Sequence, residues 1–191
     1  MERTEIPRRG HYSENGVFGM ALFVFTEVML FAGFISAFAI FRAAAPANLW
    51  PPIGQPRLPV ATTAFNSAML LASGVLLFRA HRAYRTRELE SASRWMAGAI
   101  GLGAFFVCFQ GYEWARLLAQ GFTLTSSELG SFFYLIVGAH ALHAVIALAA
   151  LFVAWRALRA QRLTPSAFGA VQLFWYFVVL MWPLIYWRVY L

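Results

Sequence analysis

The stretch Val17-Phe-Gly-Met-Ala-Leu-Phe-Val-Phe-Thr-Glu27-Val-Met-Leu-Phe-Ala-Gly-Phe-Ile-Ser-Ala-Phe-Ala-Ile-Phe41 runs for 25 residues with one ionisable side chain, Glu27. At a helical rise of about 1.5 Å per residue, roughly 20 mostly apolar residues cross the hydrocarbon of a bilayer, so this stretch predicts a transmembrane helix. Further apolar stretches follow at about Val60 to Phe78, Trp95 to Leu118, Phe132 to Trp155 and Phe168 to Val189. Of the 191 residues only 12% are charged, against about 25% in a soluble domain. The sequence therefore predicts an all-α integral membrane bundle of five transmembrane helices, a single domain over residues 1–191. The Pro46 to Pro59 connection, with Pro51, Pro52 and Pro56, cannot continue a helix. A polar lead of 16 residues precedes the first span and no small-residue cleavage site follows it, so that span is expected to stay in the protein.

The charges are selective in kind. All 15 basic residues are Arg and all 8 acidic residues are Glu. Without Lys there is no Schiff base and no P-loop, and without Asp no aspartyl-phosphate pump. The single Cys108 lies in an apolar stretch, which excludes an internal disulfide and a CxxC pair; it reads as a small core residue. Eleven Arg fall on the face that holds the N-terminus, Arg79 to Arg94 and Arg156 to Arg162, and four fall on the other face. The positive-inside rule then places the N-terminus in the cytoplasm and the C-terminus outside. Trp50, Trp114, Tyr186, Trp187 and Tyr190 form an expected outer aromatic belt, and Tyr84, Trp95 and Trp155 an inner one. Topology and anionic lipid account for the pI of about 10.3, so nucleic acid is not an expected partner.

Ionisable groups in hydrocarbon cost at least ~2.5 kcal/mol each unless paired, neutral or facing a cavity. Counted from the span ends at about 1.5 Å per residue, Glu27 and His143 both lie near the midplane. Gln110 and His140 share a level further out, and Glu113 shares the next with Asn66. His140 and His143 are three apart on one helix, as are Gln110 and Glu113, so each pair shares a face. Two polar layers are expected. They act either as interhelical hydrogen-bonding groups or, at Glu27, in proton handling or lipid binding.

A haem clamped between helices needs one His from each of two, and the two membrane-embedded His lie on the same one. A di-iron site needs Glu-x-x-His pairs, but Leu30 and Arg116 stand three residues after Glu27 and Glu113. His11 and His81 read as interfacial. The segment from Arg79 to Arg94 carries His81, Glu88 and Glu90 and reads as an anchoring loop or a proton-collecting one. Gly33 with Ala37, and Ala97 with Gly101, permit close helix contacts. Pro183 is expected to kink the last span.

The segment Thr26-Glu27-Val28-Met29-Leu30-Phe31-Ala32-Gly33-Phe34 resembles the Ser/Thr-Glu-Val-Met-x-Phe-Ala-Gly-Phe signature of subunit III of the haem-copper terminal oxidases. Gln110-Gly-Tyr-Glu113 resembles the family's Gln-x-x-Glu segment, and Gly138-Ala-His140-Ala-Leu-His143-Ala-Val its Gly-x-His-x-x-His-Val segment. The resemblance runs from Val17 to Leu191 and fits the short, five-helix form, like the last five of the seven helices of the long form. It implies Glu27 near His143 in a non-catalytic subunit, with no haem or copper of its own. Haem and copper are expected in the partner subunits, and bound phospholipid in a cleft. The implied partners are oxidase subunit I, other respiratory subunits and membrane lipids, in a bacterial cytoplasmic (inner) membrane.

The last helix departs from the family pattern. Where the family has Trp-His-Phe-x-Asp, this chain has Trp175-Tyr176-Phe177-Val178-Val179. Two polar partners are replaced, which argues against a hydrogen-bond network through that helix. The leading expectation is an accessory subunit that supports the stability and proton uptake of an oxygen-reducing, proton-translocating oxidase. The alternatives are an accessory subunit of a nitric oxide reductase and an independent proton-coupled transporter.

Overall fold

The computed structural model describes residues 15–44 and 59–191. The N-terminal lead with His11, and the proline-rich connection through residue 58 with Trp50 and Arg57, lie outside the described residues. Helices α1 (Asn15–Ala44), α2 (Val60–Arg85), α3 (Leu89–Ala119), α4 (Glu128–Arg159) and α5 (Pro165–Ile185) follow one another, all of them long and apolar enough to cross a membrane. A π-helical turn, Tyr186–Tyr190, ends the chain.

The helices outrun the apolar stretches. Residues 79–94, expected as a loop, are mostly helix, and only Thr86, Arg87 and Glu88 turn the chain from α2 into α3. Likewise α4 runs through Arg156 and Arg159. Hydropathy reports where the hydrocarbon ends, whereas Arg, Ala and Glu are good helix formers beyond it. The connections are tight because three helices end in the same hydrogen-bonded motif, in which a left-handed residue reverses the chain. At α2 Glu88 N–H donates to Ala83 O at 2.9 Å across Arg87, which has φ 65°. At α3 Phe122 N–H donates to Leu117 O at 3.0 Å across Gly121, and at α4 Arg162 N–H donates to Ala157 O at 2.8 Å across Gln161. Ser127 and Thr164 then cap α4 and α5 by accepting from the N–H of Gly130 and Ala167.

Helix α5 is the axis of the bundle. It packs on α1, α2 and α4, while α3 lies against α2 and α4. Two tryptophans of α5 are held by serines of α2: Trp182 Nε1 donates to Ser67 Oγ at 2.7 Å and Trp175 Nε1 to Ser73 Oγ at 3.1 Å. A buried indole N–H must find an acceptor, and the spacing of the two serines matches that of the two rings on an antiparallel neighbour. The ring of Trp175 also fills the space over Gly103 of α3, where a Cβ would lie 2.7 Å from it. Val179, in place of the family Asp, packs over Gly74 of α2, and Tyr176, in place of the His, accepts from Gln172 Nε2 at 2.7 Å.

Several expectations are corrected. Gly33 and Gly101 have no neighbour within 4 Å of a Cβ position, and Ala37 and Ala97 are exposed, so those pairs make no close contacts within the chain. The close approaches between helices fall instead at Gly16, Gly74, Gly98, Gly103 and Gly169. Cys108 is exposed, not a core residue, because α3 turns that face outward. Tyr190, expected in the outer belt, is buried, whereas Trp187 is exposed. The helix runs through Pro183 and answers the missing N–H by widening to the π-helical turn just beyond it.

Candidate functional site

Glu27 on α1 and His143 on α4 meet, with His143 Nε2 3.0 Å from Glu27 Oε2. The other ring nitrogen, Nδ1, lies 2.7 Å from the carbonyl oxygen of Ala139 one turn back. A carbonyl only accepts, so Nδ1 carries a proton. The Glu27 contact has ion-pair distance without hydrogen-bond alignment, and Oε2 accepts no hydrogen bond from the chain. With one further proton between them the two groups are neutral as a pair, the state that hydrocarbon tolerates best. Rings wall the pair: His143 lies 5.6 Å from Phe31, 5.7 Å from Phe177 and 6.3 Å from Phe174, centroid to centroid. The enclosure is incomplete, since 13% of the His143 side chain and 17% of that of Glu27 remain exposed.

The second polar layer stands beyond Phe31, whose ring lies 6.3 Å from His140. His140 is fully enclosed, 5.0 Å from the ring of Trp182 and 6.4 Å from that of Phe106. Gln110 Nε2 donates to the hydroxyl of Tyr190 at 3.1 Å, and Asn66 Nδ2 to the carbonyl of Phe106, also at 3.1 Å, rather than to Glu113. A cavity of about 140 Å³ is lined by Phe106, Gln110, Trp114, His140, Ala144 and Trp182. Gln110 Oε1, Trp114 Nε1 and both nitrogens of His140 have no hydrogen-bond partner in the chain. Glu113 is buried within the same bundle, 3% exposed.

The structure therefore joins Glu27 to His143 and gathers Gln110 and His140 round one cavity. It separates them from the residues of the expected proton-collecting loop. His81 lies on α2, half-buried, with its ring 5.1 Å from Phe168 of α5. Glu88 accepts from Thr86 in the turn, and Glu90 is exposed in the first turn of α3. These three do not form one loop, because the segment is helical. Sequence reasoning missed Tyr190 as the partner of Gln110 and the Trp–Ser bonds of α5. The signal for the latter was present: two serines in an apolar span, six residues apart, facing two tryptophans seven apart.

Among the described residues no three of His, Cys, Asp and Glu come together as a metal site would require. His143 is engaged by Glu27 and a carbonyl, and His140 is walled in by aromatic rings. What the arrangement can do is hold a proton between α1 and α4 at a partly open surface, and stiffen the half of the bundle round Gln110 and His140.

A sequence profile described as "Cytochrome c oxidase subunit III" matches residues 9–191. The chain belongs to the cytochrome c oxidase subunit III family. It is 31% identical over 188 residues to cytochrome c oxidase subunit 3 of Synechocystis sp., covering 95% of this chain and 78% of that one. It is 32% identical over 193 residues to the subunit 3 proteins of Pelomedusa subrufa and Gallus gallus, covering 95% of this chain and 73% of each of those. The chain is thus an integral membrane subunit of the haem-copper oxidase type, and the likeness extends across all five helices.

Proposed function

We propose that this chain is a non-catalytic subunit that packs against the catalytic subunit I of a haem-copper oxidase in a bacterial inner membrane. Its N-terminus lies in the cytoplasm by the count of arginines. In that complex oxygen is reduced with proton translocation, haem and copper are held by the partner subunits, and this chain sustains subunit I in turnover and in proton uptake, with phospholipid bound at its surface. The observation that carries the reading is the Glu27–His143 pair: the family's motif carboxylate meets the family's second histidine across α1 and α4 at 3.0 Å. A pair that can gain or lose a proton at a partly open face suits a subunit that assists proton traffic next door.

The test compares the purified complex carrying Glu27→Gln or His143→Leu with the unaltered one. The haem spectrum is expected to be unchanged and the initial oxygen consumption to stay within about twofold, since a remote group does not reach the reacting atoms. The number of turnovers before inactivation is expected to fall. Unchanged durability in both variants, and in a complex stripped of the chain, would overturn the proposal.

A further inference from the structure

Two side chains tie α4 directly to α3 and to the turn that follows it. Trp155 Nε1 donates to the carbonyl and hydroxyl oxygens of Ser93 at 3.2 and 3.1 Å, and the Tyr134 hydroxyl donates to the carbonyl of Phe122 at 2.7 Å. Between these ties lies the cavity of about 140 Å³, lined by Gln110 and Trp114 of α3 and His140 of α4. Its mouth lies between the same two helices, at Gly111, which is exposed, and Ala141, which is half-buried. Gln110 is 5% exposed and His140 only 1%, yet Gln110 Oε1, Trp114 Nε1 and both ring nitrogens of His140 have no partner in the chain. The Glu27–His143 pair makes no use of these groups, although Gln110 and His140 stand in two of the segments that resemble the family's.

Buried polar groups are satisfied by the chain or by ordered water, and the kind of partner follows from what these four atoms require. An indole Nε1 only donates and an amide oxygen only accepts, while an uncharged imidazole has one N–H and one bare nitrogen. The set therefore calls for two acceptors and two donors. Hydrocarbon supplies neither. A ketone or quinone carbonyl accepts but does not donate, and an ion of either sign answers only one half of the set. Water offers two of each, and about 10–15 Å³ of such a cavity is enough for one molecule. We infer that this cavity is a binding site for ordered water, which bridges Gln110 and Trp114 of α3 to His140 of α4. The Gln110 amide donates to the Tyr190 hydroxyl at 3.1 Å through its other end, so the bridge continues from α4 through α3 to the π-helical turn. The inference does not depend on which catalytic subunit the chain serves.

The test is millisecond X-ray footprinting of the whole complex in nanodiscs, in which hydroxyl radicals formed from bound water oxidise the side chains beside it. Trp182 and Trp175 form an internal comparison. They lie on one helix, are 1% and 0% exposed, and each donates to a serine of α2, but Trp182 lines the cavity and Trp175 does not. Trp182 is expected to be oxidised at least about fivefold faster than Trp175. Ala144→Leu fills the cavity from α4 and is expected to bring Trp182 down to the rate of Trp175. His140→Phe removes two of the four polar atoms and is expected to slow Trp182 about twofold or more, with Trp175 unchanged. Equal rates for the two rings in the unaltered chain would overturn the inference, by showing the cavity dry or filled by an amphiphile from the bilayer. So would a fast Trp182 that neither variant slows, which would mean that radicals reach the ring by another route. The comparison of the two rings needs no substitution, so a variant that fails to fold still leaves the inference open to refutation. Oxygen consumption and durability in turnover report separately on the proposed function, so either reading can fail alone.

Discussion

Helices α1 and α5 reverse the usual relation between a motif and a core. Helix α1 carries the segment that identifies the family, yet only 11% of its span is buried within the chain. Helix α5 departs from the family at Tyr176 and Val179, yet 56% of its span is buried. Helix α1 makes apolar contact with α5 and, through Phe38 and Phe41 on the ring of Phe132, with α4; its polar ties include the Glu27–His143 pair and Arg42, which donates to main-chain oxygens of Arg188 and Leu191 at 3.4 and 3.1 Å. Helix α5 is held by indole–serine bonds, by rings set over glycines, and by neighbours on three sides. Most of the α1 segment therefore faces outward, with Glu27 and Phe31 turned in, while the divergent helix supplies the cohesion. The two replaced polar residues cost little because α5 does not rely on them: one is absorbed by Gln172 and the other by the space over Gly74.

Truncating one large apolar side chain on each helix puts this contrast to its severest test. Trp175→Ala deletes a fully buried side chain that fills the space over Gly103 and donates to Ser73, and is expected to cost ~3–5 kcal/mol. Leu22→Ala on α1, at a position 58% exposed, is expected to cost less than about 0.5 kcal/mol. Unfolding in mild detergent measures both. Equal losses would mean that α1 is as integral to the bundle as α5.

Ser67→Ala is a smaller change on the α5 side. It leaves the Trp182 N–H buried without its acceptor, which costs about 1–3 kcal/mol. Replacing Trp182 by Phe in the same chain is expected to recover part of that loss, because the orphaned donor goes with it. A serine variant that unfolds at the same midpoint as the unaltered chain would show that the bond contributes nothing.

On the α1 side the matching measurement is a double-mutant cycle of Glu27→Gln with His143→Leu. Coupling across membrane helices averages about 0.6 kcal/mol and reaches about 1.7, and a value in that range is expected, below the α5 effects. A coupling well above it would promote α1 from an outward-facing helix to a structural one. A coupling of zero would leave Glu27 free for a partner subunit and strengthen the case that the motif faces outward.

The legibility of the chain divides along the same line. The five spans could be read because hydrocarbon thickness imposes a length and a composition on each. The meeting of Glu27 and His143 could be read because depth counting put both at the midplane and the family motif paired them. The buried face of α1 could not, since a helix that is apolar all round carries no stripe to say which side turns inward. Tyr190 reads as an aromatic-belt residue for a related reason: position along the axis is legible, but rotation about it depends on where Pro183 and the π-helical turn send the chain. The segment from Arg79 to Arg94 reads as a loop in sequence because polar composition and backbone hydrogen bonding end at different residues.

The finest effect concerns how the chain enters its most buried helix. Three helix ends reverse through a left-handed residue, but only Gly121 is suited to it by chemistry; Arg87 and Gln161 hold φ 65° and 55°. A residue with a Cβ in that conformation costs roughly 1–2 kcal/mol, and glycine returns part of the gain through the entropy of the unfolded chain. Gln161 is exposed and lies four residues before α5 begins. Gln161→Gly is therefore expected to stabilise by about 0.5–1 kcal/mol and to raise the unfolding midpoint by ~1–4 °C. Arg87→Gly relieves the same backbone in the turn between α2 and α3 and is expected to gain as much. A similar gain in both would mean that the strain lies in the left-handed residue itself and not in the helix it leads into. If neither gains, the left-handed residues are already relaxed by their surroundings, and the entry to α5 is set by the Thr164 cap and Pro165 alone.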